Sequence, residues 1–244
     1  QVYNYYNWGG LFGYYKGANL TNVANKNSIS IGTSSSNIYK NIYNVGGVAG
    51  QISNSTEISL LSNEGTIEPI QMAETMSDTW GLINEGNEYA LDVSLLGTDV
   101  VNSVRTINVG GIFGYVEGSM VISNIINNSD TILGYQNVGG LIGYLGPNVK
   151  VDNSTMLTFE SVSSQTSGQM YYYLEQDGNT TVYKLVRSDS TASSFYQLSE
   201  NSVASTGSVV GAINVGGAFG YINGATVIGV CSSASVYGNA SVGG

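Results

Sequence analysis

The side chains of this sequence that could act on a substrate or hold a metal are its carboxylates and tyrosines, since the chain has no histidine and one cysteine. Nine of the 17 acidic residues lie between Glu57 and Asp99, and no lysine or arginine occurs between Lys40 and Arg105. Divalent hard cations prefer carboxylate and carbonyl oxygens. The 57–99 segment is therefore either a solvated acidic face or a calcium site. It lacks the dense acidic spacing of a calcium loop, so we predict no resident metal or cofactor and keep calcium as the alternative.

The same inventory argues against catalysis. General acid–base chemistry needs a positioned base, most often histidine, or two carboxylates held close together. No two carboxylates recur at a spacing that would place them together, and the repeated strands described below carry almost no charge. We predict no catalytic residue and a protein that is not an enzyme, with a tyrosine or lysine base left open.

The overall composition favours a folded chain rich in β-structure. Of its 244 residues, 42% are hydrophobic and 10% are charged, with 33 glycines and two prolines, whereas disorder requires low hydrophobicity and high charge. The net charge of −10 with only seven basic residues argues against a nucleic-acid partner, because phosphate binding needs clustered lysine and arginine. The uncharged stretch 209–231 is interrupted by Asn214, Asn223 and glycines, so we predict no membrane span.

One motif recurs along the chain: asparagine, an apolar residue, two glycines, two further apolar residues, a third glycine and usually tyrosine. Full copies begin at positions 7, 44, 108, 137 and 214, and a truncated copy begins at Ser241. The intervals that begin at 44 and at 137 span 64 and 77 residues, against 27–37 for the others, so each is either two units or one unit plus an insertion. The segment T-W-G-L-I-N at 79–84 resembles a worn copy that would divide the first of these long intervals into two of ordinary length.

This self-similarity predicts a repeat protein whose units bury their apolar faces by stacking. Alternating, β-branched runs follow the motifs, as in G-A-T-V-I-G-V at 224–230, and they favour strands over helices. The expected fold class is all-β, a parallel β-helix or β-solenoid with units of about 27–37 residues. We expect one solenoid over 1–244 that continues beyond one or both ends. Two hairpin-type insertions are expected, an acidic one at about 66–100 and a tyrosine-rich one at about 155–205.

In such a solenoid, equivalent residues lie above one another at the strand spacing of roughly 4.8 Å, which predicts four structural ladders. The asparagine ladder comprises Asn7, Asn44, Asn108, Asn137 and Asn214. The tyrosine ladder comprises Tyr14, Tyr115, Tyr144 and Tyr221, with Gln51 as the exception. One internal stack comprises Leu11, Val48, Ile112, Leu141 and Ala218, and the next comprises Phe12, Ala49, Phe113, Ile142 and Phe219. The glycine pairs are expected to adopt backbone conformations closed to other residues.

These motifs are similar to the GLUG repeat, a G-G-L-x-G-Y-type pattern of very large bacterial surface and adhesin-like proteins. The resemblance covers the five full copies, the worn copy near Trp80 and the truncated copy at the end. It implies an elongated extracellular protein of the cell surface, of which this chain is one section. The motif itself carries no catalytic residue.

The tyrosine-rich insertion contains a predicted β-hairpin over 169–186, with its turn near Asp177 and Gly178. Tyrosine buries a large area while keeping a polar tip, which is typical of an interface. The alternative is that this arm packs back on its own solenoid. The interface candidates are Tyr171, Tyr172, Tyr173, Tyr183, Phe195 and Tyr196, with Trp80 and Tyr89 in the acidic insertion.

Six Asn-x-Ser/Thr sequons occur, about the number expected by chance in a chain this rich in asparagine, serine and threonine. Where the source glycosylates secreted proteins, the exposed members are candidate acceptors, and the strand ladder is expected to hide others. The sequon asparagines are Asn19, Asn54, Asn127, Asn153, Asn179 and Asn239.

These observations predict a structural subunit or section of an extracellular filament, sheath or surface layer. It would assemble by end-to-end stacking of solenoids and by lateral contacts of the insertions, because exposed strand edges invite pairing. The alternative is an adhesin stalk whose tyrosine-rich arm binds a carbohydrate or a surface protein. A more remote alternative is a polysaccharide lyase or hydrolase, since such enzymes occur on parallel β-helices.

Overall fold

A computed structural model of the chain describes residues 3–30, 40–68, 82–85, 88–91, 105–167, 169–177, 180–187 and 194–244. These residues contain 27 β-strands, two short 3-10 turns and no α-helix. The chain divides into two compact units, one comprising Gln1–Ser154 with Val203–Gly244 and the other comprising Thr155–Ser202.

The first unit is a parallel β-solenoid whose successive coils place strands in four sheets, A to D. The first coil consists of β1 (Tyr3–Gly9), β2 (Phe12–Tyr15), β3 (Asn19–Asn25) and β4 (Ile29–Ser30). The second consists of β5 (Lys40–Gly46), β6 (Ala49–Ser53), β7 (Glu57–Asn63) and β8 (Ile67–Glu68), and the hairpin β9 (Leu82–Glu85) and β10 (Glu88–Leu91) follows it. The third consists of β11 (Arg105–Gly110), β12 (Phe113–Glu117), β13 (Met120–Asn127) and β14 (Thr131–Leu133).

The fourth coil is interrupted by the second unit. Its first three strands are β15 (Gln136–Gly139), β16 (Ile142–Leu145) and β17 (Val149–Asp152). The second unit then supplies β18 (Phe159–Ser161), β19 (Met170–Asp177), β20 (Thr180–Arg187) and β21 (Tyr196–Leu198). The coil closes with β22 (Ser208–Val210), followed by β23 (Ile213–Gly216), β24 (Phe219–Ile222), β25 (Thr226–Ile228) and β26 (Ser235–Tyr237), and β27 (Ala240–Gly243) begins a sixth coil.

The strand register confirms the predicted parallel β-helix. In sheet A, Val45 lies beside Val109, Val109 beside Val138 and Val138 beside Val215. The same in-register stacking holds in sheets B, C and D. A solenoid follows because each motif copy returns the chain to the same place one strand spacing further along.

The register also corrects the proposed worn repeat at 79–84. Strand β5 pairs directly with β11, so no coil of the solenoid lies between them. Within the described part of this segment, β9 pairs with β10 in an antiparallel hairpin. The long interval between the motif copies at 44 and 108 is therefore one coil plus an insertion, and the sequence T-W-G-L-I-N is not a repeat unit.

The interior of the solenoid contains two apolar clusters. Strands of sheets B and C enclose the larger one, which includes the fully buried Ile52, Phe113 and Ile122. Strands of sheets A and D enclose the other, which includes Val109 and Ile132. Each sheet therefore buries one face, and this burial is the main favourable term for a fold of this kind.

The second glycine of each motif lies where two corners of the coil meet. A Cβ atom on Gly47 would overlap with the carbonyl oxygen of Gly111 and with the carboxamide of Asn63, which ends β7 on the opposite side of the interior. Gly10 and Gly111 meet Asn25 and Asn127 in the same way. The corner between sheets A and B thus touches the corner between sheets C and D.

The glycine pairs were expected to adopt backbone conformations closed to other residues, and this expectation is wrong. None of the motif glycines has a positive φ, whereas every motif asparagine does, with φ between 54° and 61°. The left-handed residue of the motif is therefore asparagine, which tolerates that conformation better than most residues. Glycine is required by close backbone approach.

The predicted internal stacks hold in the middle coils and open at the ends. Val48, Ile112 and Leu141 are fully buried, but Leu11 in the first coil is 41% exposed. In the next stack, Phe113 is fully buried, whereas Phe12 and Phe219 are half-buried. The first and fifth coils have a complete neighbouring coil on one side only, so their inward side chains keep contact with solvent.

The second unit is an antiparallel sheet with the strand order β18-β21-β19-β20. Its long hairpin pairs Met170 with Arg187 and Asp177 with Thr180, as the sequence predicts for 169–186. Residues 178 and 179, where the turn is expected, lie outside the described residues.

Sheet C holds a strained residue in the second coil. Asn22, Leu60 and Asn124 occupy equivalent places in β3, β7 and β13, between the paired neighbours on either side. All three are left-handed, with φ of 56°, 56° and 51°. Leucine pays a steric penalty in this region that asparagine largely avoids, and Leu60 is 58% exposed.

We expect Leu60→Asn to raise the free energy of unfolding by on the order of 1 kcal/mol, because it removes the left-handed strain at the cost of little buried area. Leu60→Val is the matched control and should lower stability, since a β-branched residue tolerates positive φ least. Urea unfolding of the three proteins measures both effects. Equal or lower stability of Leu60→Asn would show that the strain is not significant.

Candidate functional site

The motif asparagines form a continuous hydrogen-bonded ladder within sheet A, just before the glycine corner that leads to sheet B. The side-chain amide of Asn44 donates to Oδ1 of Asn7, that of Asn108 to Asn44, that of Asn137 to Asn108 and that of Asn214 to Asn137, each at 2.8 Å. The three inner members are 8% exposed. Each inner carboxamide therefore donates to the preceding coil and accepts from the next.

A second asparagine ladder lies inside the solenoid and was missed from the sequence. The amide of Asn25 donates to Oδ1 of Asn63 at 2.7 Å, and that of Asn63 donates to Asn127 at 2.9 Å. All three residues are fully buried. A signal was present, since the separation from the preceding motif asparagine is almost the same for all three. The donors point toward later coils, opposite to the first ladder.

Asn153 replaces a missing strand neighbour where the chain leaves the fourth coil. Its side-chain oxygen accepts from the backbone N–H of Ile125 at 3.2 Å, and its amide nitrogen donates to the Ile125 carbonyl at 2.9 Å. The side chain thus completes the backbone hydrogen bonding of β13 at a buried position.

The sequons divide into exposed and buried groups. Asn127 and Asn153 are fully buried, so the folded protein cannot present either to a glycosyltransferase, and both are removed as candidate acceptors. Asn19, Asn54 and Asn239 are exposed and stay candidates. Asn179 lies outside the described residues.

The motif tyrosines line the outer face of sheet B. The rings of Tyr115 and Tyr144 are stacked, with centroids 4.6 Å apart and planes 8° apart, and Tyr144 stacks on Tyr221 at 5.6 Å and 20°. Such pairs contribute about 0.5–1.5 kcal/mol beyond the area they bury. Stacking covers the faces between neighbours, so the ladder presents ring edges and hydroxyl groups to solvent.

Gln51 interrupts this ladder and connects it to a carboxylate. It lies between Tyr14 and Tyr115 in the strand register, and its amide donates to Glu117 at 3.1 Å. The hydroxyl of Tyr115 donates to the other Glu117 oxygen at 3.3 Å. Burial, followed by the nearby Glu117 charge, raises the pKa of Tyr115 to about 12, so this phenol is neutral at physiological pH. Tyr14 instead shares a hydrogen bond with Ser53.

Two of the predicted interface aromatics lie inside the second unit. Tyr171 is 4% and Phe195 is 6% exposed, and their rings meet edge to face at 5.9 Å. Both are corrected from interface to core. Strand alternation places Tyr171 on the face of β19 opposite Met170 and Leu174, where its ring contacts Phe195. Tyr172, Tyr173 and Tyr196 are half-buried. Trp80 and the side chains of Tyr89 and Tyr183 lie outside the described residues.

Strand β19 also presents apolar side chains that sequence analysis missed. Met170 is 49% and Leu174 is 40% exposed. They share one face of the strand with Tyr172, since side chains alternate along a strand. This face is an exposed apolar surface among the described residues of the second unit.

Three ion pairs occur among the described residues. Lys26 lies 3.2 Å from Glu64, and Lys150 lies 2.8 Å from Asp152. Hydrogen bonds from Lys150 and Ser154 lower the pKa of Asp152 to about 2. Lys184 forms an ion pair with Glu175 across the hairpin.

A metal site is not apparent among the described residues, where no three histidine, cysteine, aspartate or glutamate side chains are grouped to hold an ion. Much of the acidic segment 57–99 lies outside them, so calcium binding there stays a prediction. The described residues also include no helix of the length and hydropathy needed to span a membrane.

Comparison with known proteins identifies no relative. No protein-family model matches the sequence, and no curated protein and no solved structure matches the chain. The resemblance to the GLUG repeat therefore stays a prediction.

The role of the first ladder can be tested by removing one donor. Asn108→Asp keeps the shape, the tolerance for positive φ and the acceptor for Asn137, but places a carboxylate oxygen against Oδ1 of Asn44. Because a buried group without its partner costs about 1–3 kcal/mol, we expect a loss of stability in that range, measured by chemical denaturation at neutral pH.

Asn7→Asp is the matched control, because Asn7 acts in the ladder as the acceptor for Asn44 and aspartate preserves that acceptor. Its stability should stay close to that of the wild type. Equal losses in the two variants would indicate that the carboxylate charge, rather than the broken ladder, is responsible.

Proposed function

We propose that the protein is a structural section of an extracellular filament, sheath or surface layer, in which its solenoid stacks end to end with further coils of the same register. The cell surface is the proposed location. The insertions would then provide the lateral contacts of the assembly.

The observation that carries the proposal is the exposure of the interior columns at both ends of the described solenoid. In sheet A, Val45, Val109 and Val138 are fully buried, whereas Trp8 is 37% and Val242 is 45% exposed in the equivalent terminal places. Another coil in register would bury these side chains, and each buried apolar side chain contributes about 1.5–3 kcal/mol.

An open cavity lies at the end of the solenoid formed by the fifth and sixth coils. The cavity has a volume of about 590 Å³, and Phe219, Val227, Val230 and Val242 are among the residues that line it. Its lining continues the larger apolar cluster of sheets B and C. The end is therefore shaped to receive apolar side chains from strands that stack on β24 and β25.

The motif ladder gives such stacking a direction. Each amide of the ladder donates to the preceding coil, and the sixth coil offers the hydroxyl of Ser241 at the equivalent position, so an added coil would extend this direction only in the same orientation. This polarity favours head-to-tail growth, which is the heterologous contact that produces filaments.

We expect Val242→Asp to abolish or strongly shorten assemblies viewed by electron microscopy, because burying a short unpaired carboxylate at the stacking end is costly. Val121→Asp is the matched control. Val121 is also 45% exposed, but it lies on the outer face of β13 in the third coil, away from both ends. Its assemblies should have the length of the wild type.

Normal assemblies from Val242→Asp would contradict end-to-end stacking. Isolated particles of the unaltered protein under native conditions would contradict the filament, sheath and layer alike. Loss of assembly in both variants would point to added charge instead of the stacking contact.

The alternative is an adhesin stalk whose second unit binds a carbohydrate or a surface protein. The exposed face of β19, with Met170 and Leu174, favours this candidate, because exposed apolar side chains on a small sheet are typical of a binding surface. The two functions differ in whether that face stays accessible after assembly.

Oxidation of methionine by dilute hydrogen peroxide measures this accessibility, since sulfoxide forms fastest at exposed sulfur. An adhesin predicts the same rate at Met170 before and after assembly, whereas a lateral structural contact predicts a slower rate in the assembled state. Met120, 4% exposed, is the internal reference. Protection of Met170 on assembly would count against the adhesin.

A further inference from the structure

We propose that Tyr115 and Tyr144 form an oxidative cross-linking site, at which a peroxide-dependent haem peroxidase joins the two rings through a carbon–carbon bond between adjacent coils. Tyr6 and Tyr43 form a second site of the same kind in sheet A. The inference goes beyond the proposed function, because it concerns a covalent modification and does not require any mode of assembly.

The strand register places the two phenols together. Tyr115 lies directly beside Tyr144 in the pairing of β12 with β16. Their rings are nearly parallel at 8° and their centroids are 4.6 Å apart. Two radicals formed on these rings are held side by side within one molecule, which is the advantage of fixed proximity.

A carboxylate lies in place to accept a proton from one of the two phenols. The hydroxyl of Tyr115 donates to Glu117 at 3.3 Å, and Gln51 holds the other oxygen of that carboxylate at 3.1 Å. Loss of an electron from a neutral phenol must be accompanied by loss of its proton. Glu117 removes that proton locally, so Tyr115 can be oxidised without first ionising.

The reaction balances with hydrogen peroxide as the oxidant. Each phenol loses one electron and one proton to become a phenoxyl radical, and peroxide takes up the two electrons and two protons to form two molecules of water. The radicals join at the ring carbons next to the oxygens. The hydrogens on those carbons then move to the oxygens, which restores both aromatic rings in a product two hydrogens lighter.

The geometry also ranks the other tyrosines. Tyr6 and Tyr43 are stacked at 5.0 Å and 12° and should couple similarly. Tyr144 and Tyr221 are further apart and more tilted, at 5.6 Å and 20°, so their product should be less abundant. Gln51 separates Tyr14 from Tyr115 in the register, and no product should join those two.

A link between Tyr115 and Tyr144 would fasten the third coil to the fourth. Like a disulfide, it would close a loop in the unfolded chain and reduce the entropy gained on unfolding. The cross-linked protein should therefore unfold at a higher denaturant concentration than the untreated protein.

The test treats the folded full-length chain with horseradish-type peroxidase and hydrogen peroxide, then maps cross-linked peptides by mass spectrometry and follows dityrosine fluorescence. We expect a monomeric product that joins residues 115 and 144. Tyr144→Phe should lose this product completely while retaining the link between residues 6 and 43. Tyr15→Phe is the matched control, because the strand neighbour of Tyr15 is Ile52, and it should retain both links.

The same treatment in denaturant should reduce the 115–144 link to the level of other tyrosine pairs. The proposal is overturned if the folded wild-type protein forms dityrosine only at other positions or only between molecules. It is also overturned if the 115–144 link is as abundant in denaturant as in the folded state. Mapping of the wild-type protein decides the matter even where a variant fails to fold.

Discussion

The solenoid depends on the close approach of two corners in every coil. The second motif glycine packs against the last residue of a sheet C strand in the first three coils, which is Asn25, Asn63 or Asn127, and against Ser205 and Ser232 in the next two. A side chain at the glycine would force backbone and carboxamide apart, and both apolar clusters would lose their packing. Close-packed interiors tolerate such intrusions poorly. The glycines are therefore a requirement of tertiary contact.

Two asparagine ladders lie close to these corners. Most of their carboxamide groups are buried, so these must find their hydrogen-bond partners within the protein. A carboxamide has both a donor and an acceptor, so one residue type can repeat indefinitely along the stack. A serine at the same position is shorter, and the inner ladder ends at Asn127, whose amide nitrogen has no partner among the described residues. Repetition of the coil thus provides the hydrogen bonds that a single coil could not complete.

The inside of the solenoid stays apolar from coil to coil, whereas the insertions interrupt the coils without entering it. The chain leaves the fourth coil after β17, which ends at Asp152, and after the insertion Ser205 pairs with Asn127 at the corner. The insertion therefore preserves the corner contact. The tyrosines of sheet B repeat because they occupy one register position, and Gln51 alters that surface without disturbing the interior. Surface contacts and chemistry can therefore change while the stack is kept.

The spacing of the motif alone was enough to group Asn7, Asn44, Asn108, Asn137 and Asn214, because parallel strands in register superimpose equivalent residues. Alternating apolar residues around a turn near Asp177 and Gly178 predicted the hairpin at 169–186, and the motif spacing also grouped the tyrosines. It could not show which corners meet across the interior, and so it missed the inner ladder and assigned the glycines the wrong reason. It likewise counted Tyr171 and Phe195 among the interface residues, and Asn127 and Asn153 among the possible glycosylation sites, although all four are buried. Period and alternation are properties of neighbouring residues, whereas burial depends on which distant strands cover a side chain, and only the folded chain decides that.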